Sequence, residues 1–166
     1  MKALRVCLFS IAVLTVAPQA QALCLLCSCT VSATPVAFGA YNPIDGSSAS
    51  GSGDVQVNCS GTVGLFVDYS IALSSGIHGA TYDNRQMANG ASRLTYQLYG
   101  DSGGGGACSV VWGDGSGATS TVGGSLLIVL LGSVINRQVC GTLPANQTGA
   151  TAGSYSDTVQ VVVTYN

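Results

Sequence analysis

The segment that decides the fold is YSDTVQVVVTYN, residues 155–166. Its apolar side chains recur at every second position, so that Val159, Val161, Val163 and Tyr165 share one face. A period of two is typical of a β-strand that buries one face against a core. The sequence stops at Asn166, with no turn and no further strand after this one. We therefore expect this strand to lie at an open edge, where no later strand covers its backbone groups.

The same alternation runs through much of the chain. It is present in three earlier segments, DVQVNC at 54–59, LFVDYSIALS at 65–74 and LTYQLY at 94–99. Loops are predicted where Gly, Ser and Asn cluster, at 45–53, 74–90 and 100–106. The continuous apolar run LLIVLL, residues 126–131, predicts a central strand that is buried on both faces.

Short alternating strands separated by turn residues predict an all-β fold, an immunoglobulin-like sandwich. A complete sandwich of this type follows its strand F with a strand G. If residues 158–165 form strand F, the sandwich lacks its last strand. An open core exposes apolar surface that costs roughly 25 cal/mol per Å². We therefore expect a partner to supply the missing strand by β-augmentation.

The N-terminal residues have the pattern of a secretory signal peptide. Lys2 and Arg5 precede an apolar stretch at 6–17, and small residues at 20–22 offer a cleavage site. The alternative is a membrane anchor, but the apolar stretch is short for a spanning helix. We expect a signal peptide at 1–22, a single exported domain at 23–166, and passage through the periplasm to the cell surface.

Charged side chains are scarce in the expected mature domain. Its three cations are arginines, its seven anions are all aspartates, and it contains no Glu or Lys. Nucleic-acid binding needs clustered Lys and Arg side chains, and a helix lying on a membrane surface needs a basic face. The composition argues against both functions.

Six cysteines remain after the signal peptide: Cys24, Cys27, Cys29, Cys59, Cys108 and Cys140. An even number of cysteines in an exported chain predicts disulfides, although the residues alone do not select the pairing. The Cys-x-x-Cys at 24–27 could instead bind a metal or act in redox chemistry. No second Cys/His pair with zinc-ligand spacing and no βαβ pattern accompanies it, which favours a structural disulfide.

The stretch at 100–104, GDSGG, matches the surroundings of the nucleophilic serine in trypsin-like proteases. Such a reaction at Ser102 needs a base and a carboxylate that orients it. The single histidine, His78, lies in a predicted polar loop only a short distance before Ser102. The stretch also continues into further glycines at 105–106. We therefore predict a plain loop, and a secreted serine hydrolase is the remote alternative.

No other stretch predicts a metal, a cofactor or a small-molecule substrate. WGDGSG at 112–117 places Asp114 between glycines, but a calcium site needs more oxygen ligands than this. An Asp-Gly hairpin turn is the favoured interpretation.

Seven ordered blocks of the sequence resemble one known family: CTVSATPVAFGAYNP, GSGDVQVNCSGT, YSIALSSG, RQMANGASRLTYQLYGD, VWGDG, GTLPANQ and GSYSDTVQVVVTY. This is the spore coat protein U domain family, which includes subunits of archaic (Csu-type) chaperone–usher pili. The resemblance implies a sandwich without its last strand. It also implies three kinds of partner: a periplasmic chaperone that fills the gap, an outer-membrane usher, and neighbouring subunits whose N-terminal segments replace the chaperone.

The resemblance also implies roles for particular residues. Cys29 and Cys59 match the pair that ties the first strand to the second. Tyr165 matches an aromatic residue that chaperones contact near the C-terminus. The acceptor groove is expected along the block that holds Gly153, Tyr155, Asp157, Val159, Val161 and Val163. Cys108 and Cys140 are not part of the shared pattern and suggest a second disulfide, with Cys24–Cys27 as a third.

Together these observations predict a non-enzymatic subunit of an adhesive surface pilus that contributes to biofilm formation. Only six residues separate the expected cleavage site from Cys29, which reach about 20 Å when extended. This is short for a donor strand, and a position at the fibre tip is therefore expected. The alternative is a spore or cell-surface coat protein that uses the same domain without a fibre.

Overall fold

The computed structural model of the protein describes residues 27–61, 66–101, 108–128 and 132–165. The strands in these ranges are β1 (Cys27–Ala33), β2 (Ala49–Gly61), β3 (Phe66–Leu73), β4 (Arg85–Asn89), β5 (Ser92–Gly100), β6 (Val110–Val111), β7 (Val122–Leu127), β8 (Ser133–Leu143) and β9 (Val161–Tyr165). The described residues contain no helix that is long and apolar enough to cross a membrane. The predicted signal peptide, Cys24 and Ser102 lie outside the described residues, and so does the side chain of Cys27.

The strands form two sheets that pack face to face. The first sheet has the order β1-β2-β8-β5-β4, with β6 added to β5, and the second has the order β7-β3-β9. The strands of both sheets pair antiparallel. The prediction of an all-β sandwich is confirmed.

The core lies between the two inward faces, and the alternation read from the sequence predicts them correctly. The buried apolar side chains of β2, β3 and β5 are Val55, Val57, Cys59, Val67, Tyr69, Ile71, Leu73, Leu94, Tyr96 and Leu98. Trp112 is fully buried among them, and its Nε1–H donates a hydrogen bond to the Ile71 carbonyl at 2.9 Å. Burial of this indole therefore leaves its polar group satisfied.

The prediction of a loop at 45–53 is wrong from residue 49 onward, because β2 begins at Ala49. Its first residues pair with the end of β8, so that Gly51 lies opposite Gly141. A segment at 34–38 crosses the inward side of both strands here. A Cβ at Gly51 would collide with the carbonyl of Ala37, and a Cβ at Gly53 would lie 2.6 Å from the Thr34 carbonyl oxygen. The glycines thus belong to strands that a second backbone approaches closely.

Two further predictions are corrected by the structure. The stretch at 74–90 is not all loop, because it contains β4, which forms a hairpin with β5 around Gly90 at φ 57°. In the described part of the run at 126–131, Leu126 and Leu127 do not belong to a central strand. They form the end of β7, an edge strand whose Leu127 is 43% exposed. The reason is topological: after Leu127 the chain leaves the second sheet and enters β8 of the first.

The Asp-Gly stretch forms a turn, but the prediction of a hairpin is wrong. Trp112 and Ser120, which flank the turn, form a parallel bridge rather than an antiparallel one. Asp114 accepts hydrogen bonds from the backbone N–H and the hydroxyl of Ser116, at 2.9 and 2.6 Å. This local hydrogen bonding is typical of an Asx-turn.

Two disulfides are present in the described residues. Cys29 and Cys59 lie directly opposite each other on β1 and β2 and are bonded. Cys108, which precedes β6, is bonded to Cys140 on β8. The first bond ties an edge strand to its neighbour, and the second ties the chain before β6 to the first sheet.

Candidate functional site: an open groove along the last strand

A groove of about 450 Å³ opens between two segments from opposite ends of the described chain. One wall is the segment at 33–38, which follows β1, and the other is the segment at 155–161, which leads into β9. The floor consists of core side chains, namely Val55, Leu73, Met87, Tyr96, Leu98 and Val139. A second groove of about 720 Å³ adjoins it between 36–44 and 150–155 and shares Val36, Phe38, Met87 and Tyr155 with the first.

The apolar side chains beside this groove are less covered than those in the centre of the core. The inward side chains of β3 are buried, whereas Val159, Val161, Val163 and Tyr165 on the last strand are only half-buried. On β1, Val31 lies opposite the fully buried Val57 yet is 44% exposed.

The backbone of the last strand also has an open edge. Among the described strands, β9 pairs with β3 alone. Just upstream, the Ser74 N–H donates to the Gln160 carbonyl and the Gln160 N–H donates to the Ser74 hydroxyl, both at 2.9 Å. Residues along an antiparallel strand direct their backbone groups to alternate sides. The groups that point away from β3 therefore belong to Val159, Val161, Val163 and Tyr165.

Upstream of β9, the same segment also contacts the first sheet. Ser156 and Ala88 of β4 exchange backbone hydrogen bonds at 2.9 and 3.2 Å. The segment at 156–165 thus pairs with β4 of the first sheet at Ser156 and with β3 of the second sheet along β9. The gap toward β1 and the segment at 34–38 is left uncovered by the described residues.

Polar groups are few in the groove and are concentrated around Asp157. Its carboxylate accepts a hydrogen bond from the Tyr96 hydroxyl at 2.6 Å. Burial raises the pKa of Tyr96 above its ordinary value, and the hydrogen bond to Asp157 acts in the same direction. Burial lowers the pKa of the neighbouring Arg85, and the charge of Asp157 partly offsets this effect. Tyr96 is therefore a neutral donor at neutral pH.

Residues 11–162 match the model of the Spore Coat Protein U domain. The chain belongs to this family. No curated protein matches it.

The fold of this Spore Coat Protein U domain is similar to that of solved pilus proteins. One is a chain of the CsuC–CsuE chaperone–tip adhesion subunit pre-assembly complex from archaic chaperone–usher Csu pili of Acinetobacter baumannii, with a TM-score of 0.53 and 22% identity. That alignment covers 84% of this chain but only 40% of the other. Another is the P pilus rod subunit PapA, with a TM-score of 0.51, 16% identity, and coverage of 83% and 99%. At these identities the likeness concerns the fold.

The structure brings together most of the residues expected at the groove of this Spore Coat Protein U domain. Tyr155, Asp157, Val159 and Val161 line the first groove, and Gly153 lines the second. Val163 and Tyr165 continue the same face beyond the groove and pack against the core.

The opposite wall, at 33–38, was not predicted as part of the site. Its signal in the sequence is the alternation of Val36 and Phe38, which are half-buried while Ala37 between them is exposed. Two alternating residues are too short a pattern to predict a strand.

Of the remaining candidates for chemistry, Ser102 and Cys24 lie outside the described residues. His78 lies in the loop after β3, where its backbone N–H donates to Asp157 at 3.3 Å. Within the described ranges, no three His, Cys, Asp or Glu side chains come together as a metal-binding group.

Proposed function

We propose that this chain is a structural subunit of a surface pilus of the chaperone–usher type, and that its groove accepts a β-strand from another protein. The observation that carries the proposal is the half-buried apolar row at 159–165, which adjoins an open backbone edge. An added strand gains hydrogen bonds there and covers apolar side chains, as in other cases of β-augmentation. Each new hydrogen bond contributes about 0.5–1.5 kcal/mol net.

The proposed order of partners is the one that the family resemblance implies. A periplasmic chaperone supplies the first strand, and a neighbouring subunit then replaces it during assembly at an outer-membrane usher. The solved pilus proteins that share the fold include a chain of a chaperone–tip adhesion subunit complex and a rod subunit. The position of this chain along a fibre, including the proposed tip position, is a prediction.

The proposal is tested by adding the missing strand to the chain itself. A strand with apolar residues at alternate positions is fused after Asn166 through a short Gly-rich turn, so that it folds back antiparallel to β9. The matched control carries a strand of the same composition in which the apolar positions are shifted by one residue. Such a shift moves every apolar side chain to the other face.

We expect the mature chain, residues 23–166, to aggregate alone, and the chain with the fused strand to be monomeric and several kcal/mol more stable. The shifted strand should stabilise little. Size-exclusion chromatography and urea denaturation measure both properties. Equal stability of the unfused chain and the strand-fused chain would contradict the proposal.

A further inference from the structure

The groove wall upstream of β9 is fixed by side chains as well as by the backbone. At residue 156 it pairs with β4, and at residue 160 it pairs with Ser74. Between these points no ladder runs through the described residues. Asp157 occupies this interval, half-buried and lining the groove.

Both oxygens of the Asp157 carboxylate are in use. Oδ1 accepts hydrogen bonds from the backbone N–H groups of Ile77, His78 and Thr158, at 3.0, 3.3 and 2.8 Å. Oδ2 accepts the hydrogen bond from Tyr96 on β5. Hydrogen bonds to an ionised acceptor are stronger than those between neutral groups. One side chain therefore links the groove wall, the loop after β3 and the groove floor.

The loop after β3 is shaped to receive this carboxylate. Gly76 has φ +92°, a conformation that other residues rarely adopt, and a Cβ there would collide with Asp157 Oδ2. On the far side of the same loop, the fully buried Arg85 donates to the Ser74 carbonyl at 2.9 Å. The loop is thus held by the guanidinium of Arg85 and by the carboxylate of Asp157, and Asp157 is itself part of the groove wall.

We propose that Asp157 is the positioning residue of the groove: it holds the wall at 157–161 at the separation from 33–38 at which a strand fits. This inference rests on the proposed strand-accepting function. Loss of the carboxylate frees the upstream part of the wall, while the pairing of β9 with β3 holds the downstream part. The captured strand should then lose its hydrogen bonds to Val159 and Val161 before those to Val163 and Tyr165.

Amide hydrogen exchange of the strand-fused chain tests this inference residue by residue. The variants are Asp157→Ala, Asp157→Asn and the control Asp114→Ala, which removes an exposed aspartate from a turn outside the groove. In Asp157→Ala, protection at Val159 and Val161 should fall about tenfold relative to Val163 and Tyr165. Asp157→Asn keeps an acceptor for the loop N–H groups, and the relative loss should be about threefold.

The outcomes separate the inference from the proposed function. If the wild-type fused chain shows no slow exchange at Val159, Val161, Val163 and Tyr165, the strand-accepting function is wrong. If those amides are protected in the wild type, the variants decide the role of Asp157. It has no positioning role if protection at all four residues falls by one common factor or does not change. The inference would also be overturned if the Asp114→Ala control lost protection at the upstream residues relative to the downstream residues, as Asp157→Ala is expected to do. If Asp157→Ala does not fold, the inference is tested in Asp157→Asn, by the protection at Val159 and Val161 relative to that at Val163 and Tyr165.

Discussion

Replacing Gln147 by alanine should destabilise the sandwich, because this side chain continues a sheet ladder where the backbone cannot. β5 and β8 pair with Gln97 opposite Thr142, so that Thr95 falls opposite Pro144 if the register is extended. Proline has no N–H to donate. The Gln147 carboxamide replaces the backbone partner that Thr95 would otherwise find at residue 144. Its Oε1 accepts a hydrogen bond from the Thr95 N–H at 2.6 Å, and its Nε2 donates one to the Thr95 carbonyl at 2.9 Å.

The size of the effect follows from these two bonds. Each contributes about 0.5–1.5 kcal/mol net, so the free energy of unfolding should fall by about 1–3 kcal/mol in Gln147→Ala. Nε2 also donates to the Pro144 carbonyl at 3.1 Å. Gln147→Glu should therefore be at least as harmful as Gln147→Ala, because it places a carboxylate oxygen against two carbonyls.

Urea denaturation of the strand-fused chain measures the change as a shift in midpoint at constant slope. Gln138→Ala is the matched control, because Gln138 is an exposed glutamine on β8. It should change stability by less than about 0.5 kcal/mol. If Gln147→Ala behaves like this control, or if Gln147→Glu is as stable as the wild type, the side chain does not replace the ladder.

Three further changes probe the walls and the core. Gly51→Ala should cost about 1–3 kcal/mol in urea denaturation, because its Cβ collides with the backbone of the segment at 34–38; Gly149→Ala, which meets no atom within 4 Å, should be neutral. Removing the Cys108–Cys140 disulfide by a double alanine substitution should lower the free energy of unfolding by about 3–4 kcal/mol, given the sequence separation of 32; a loss below 1 kcal/mol would contradict the chain-entropy argument. Trp112→Ala should cost about 3–5 kcal/mol and lower the thermal midpoint, because the indole is fully buried; an unchanged midpoint would refute its place in the core.

The sequence alone determined which side chains face the core along β2, β3, β5 and the last strand. Successive residues of an extended chain point to opposite faces, so a period of two identifies the inward row without knowledge of the neighbours. The family resemblance added a groove along Tyr155, Asp157 and the alternating valines, and four of the residues in this block line the groove.

Only the tertiary structure decided the rest. Residues 49–53 have a composition typical of turns, yet they form a strand because they pair with β8, and their glycines leave room for the segment at 34–38. The run at 126–131 is apolar throughout, yet β7 lies at a sheet edge, because strand order depends on where the chain crosses between sheets. The groove has walls from opposite ends of the chain, and its polar anchor joins Asp157 to a loop near residue 77. Local periodicity reports the direction of a side chain, whereas contacts between distant segments depend on packing that local patterns do not contain.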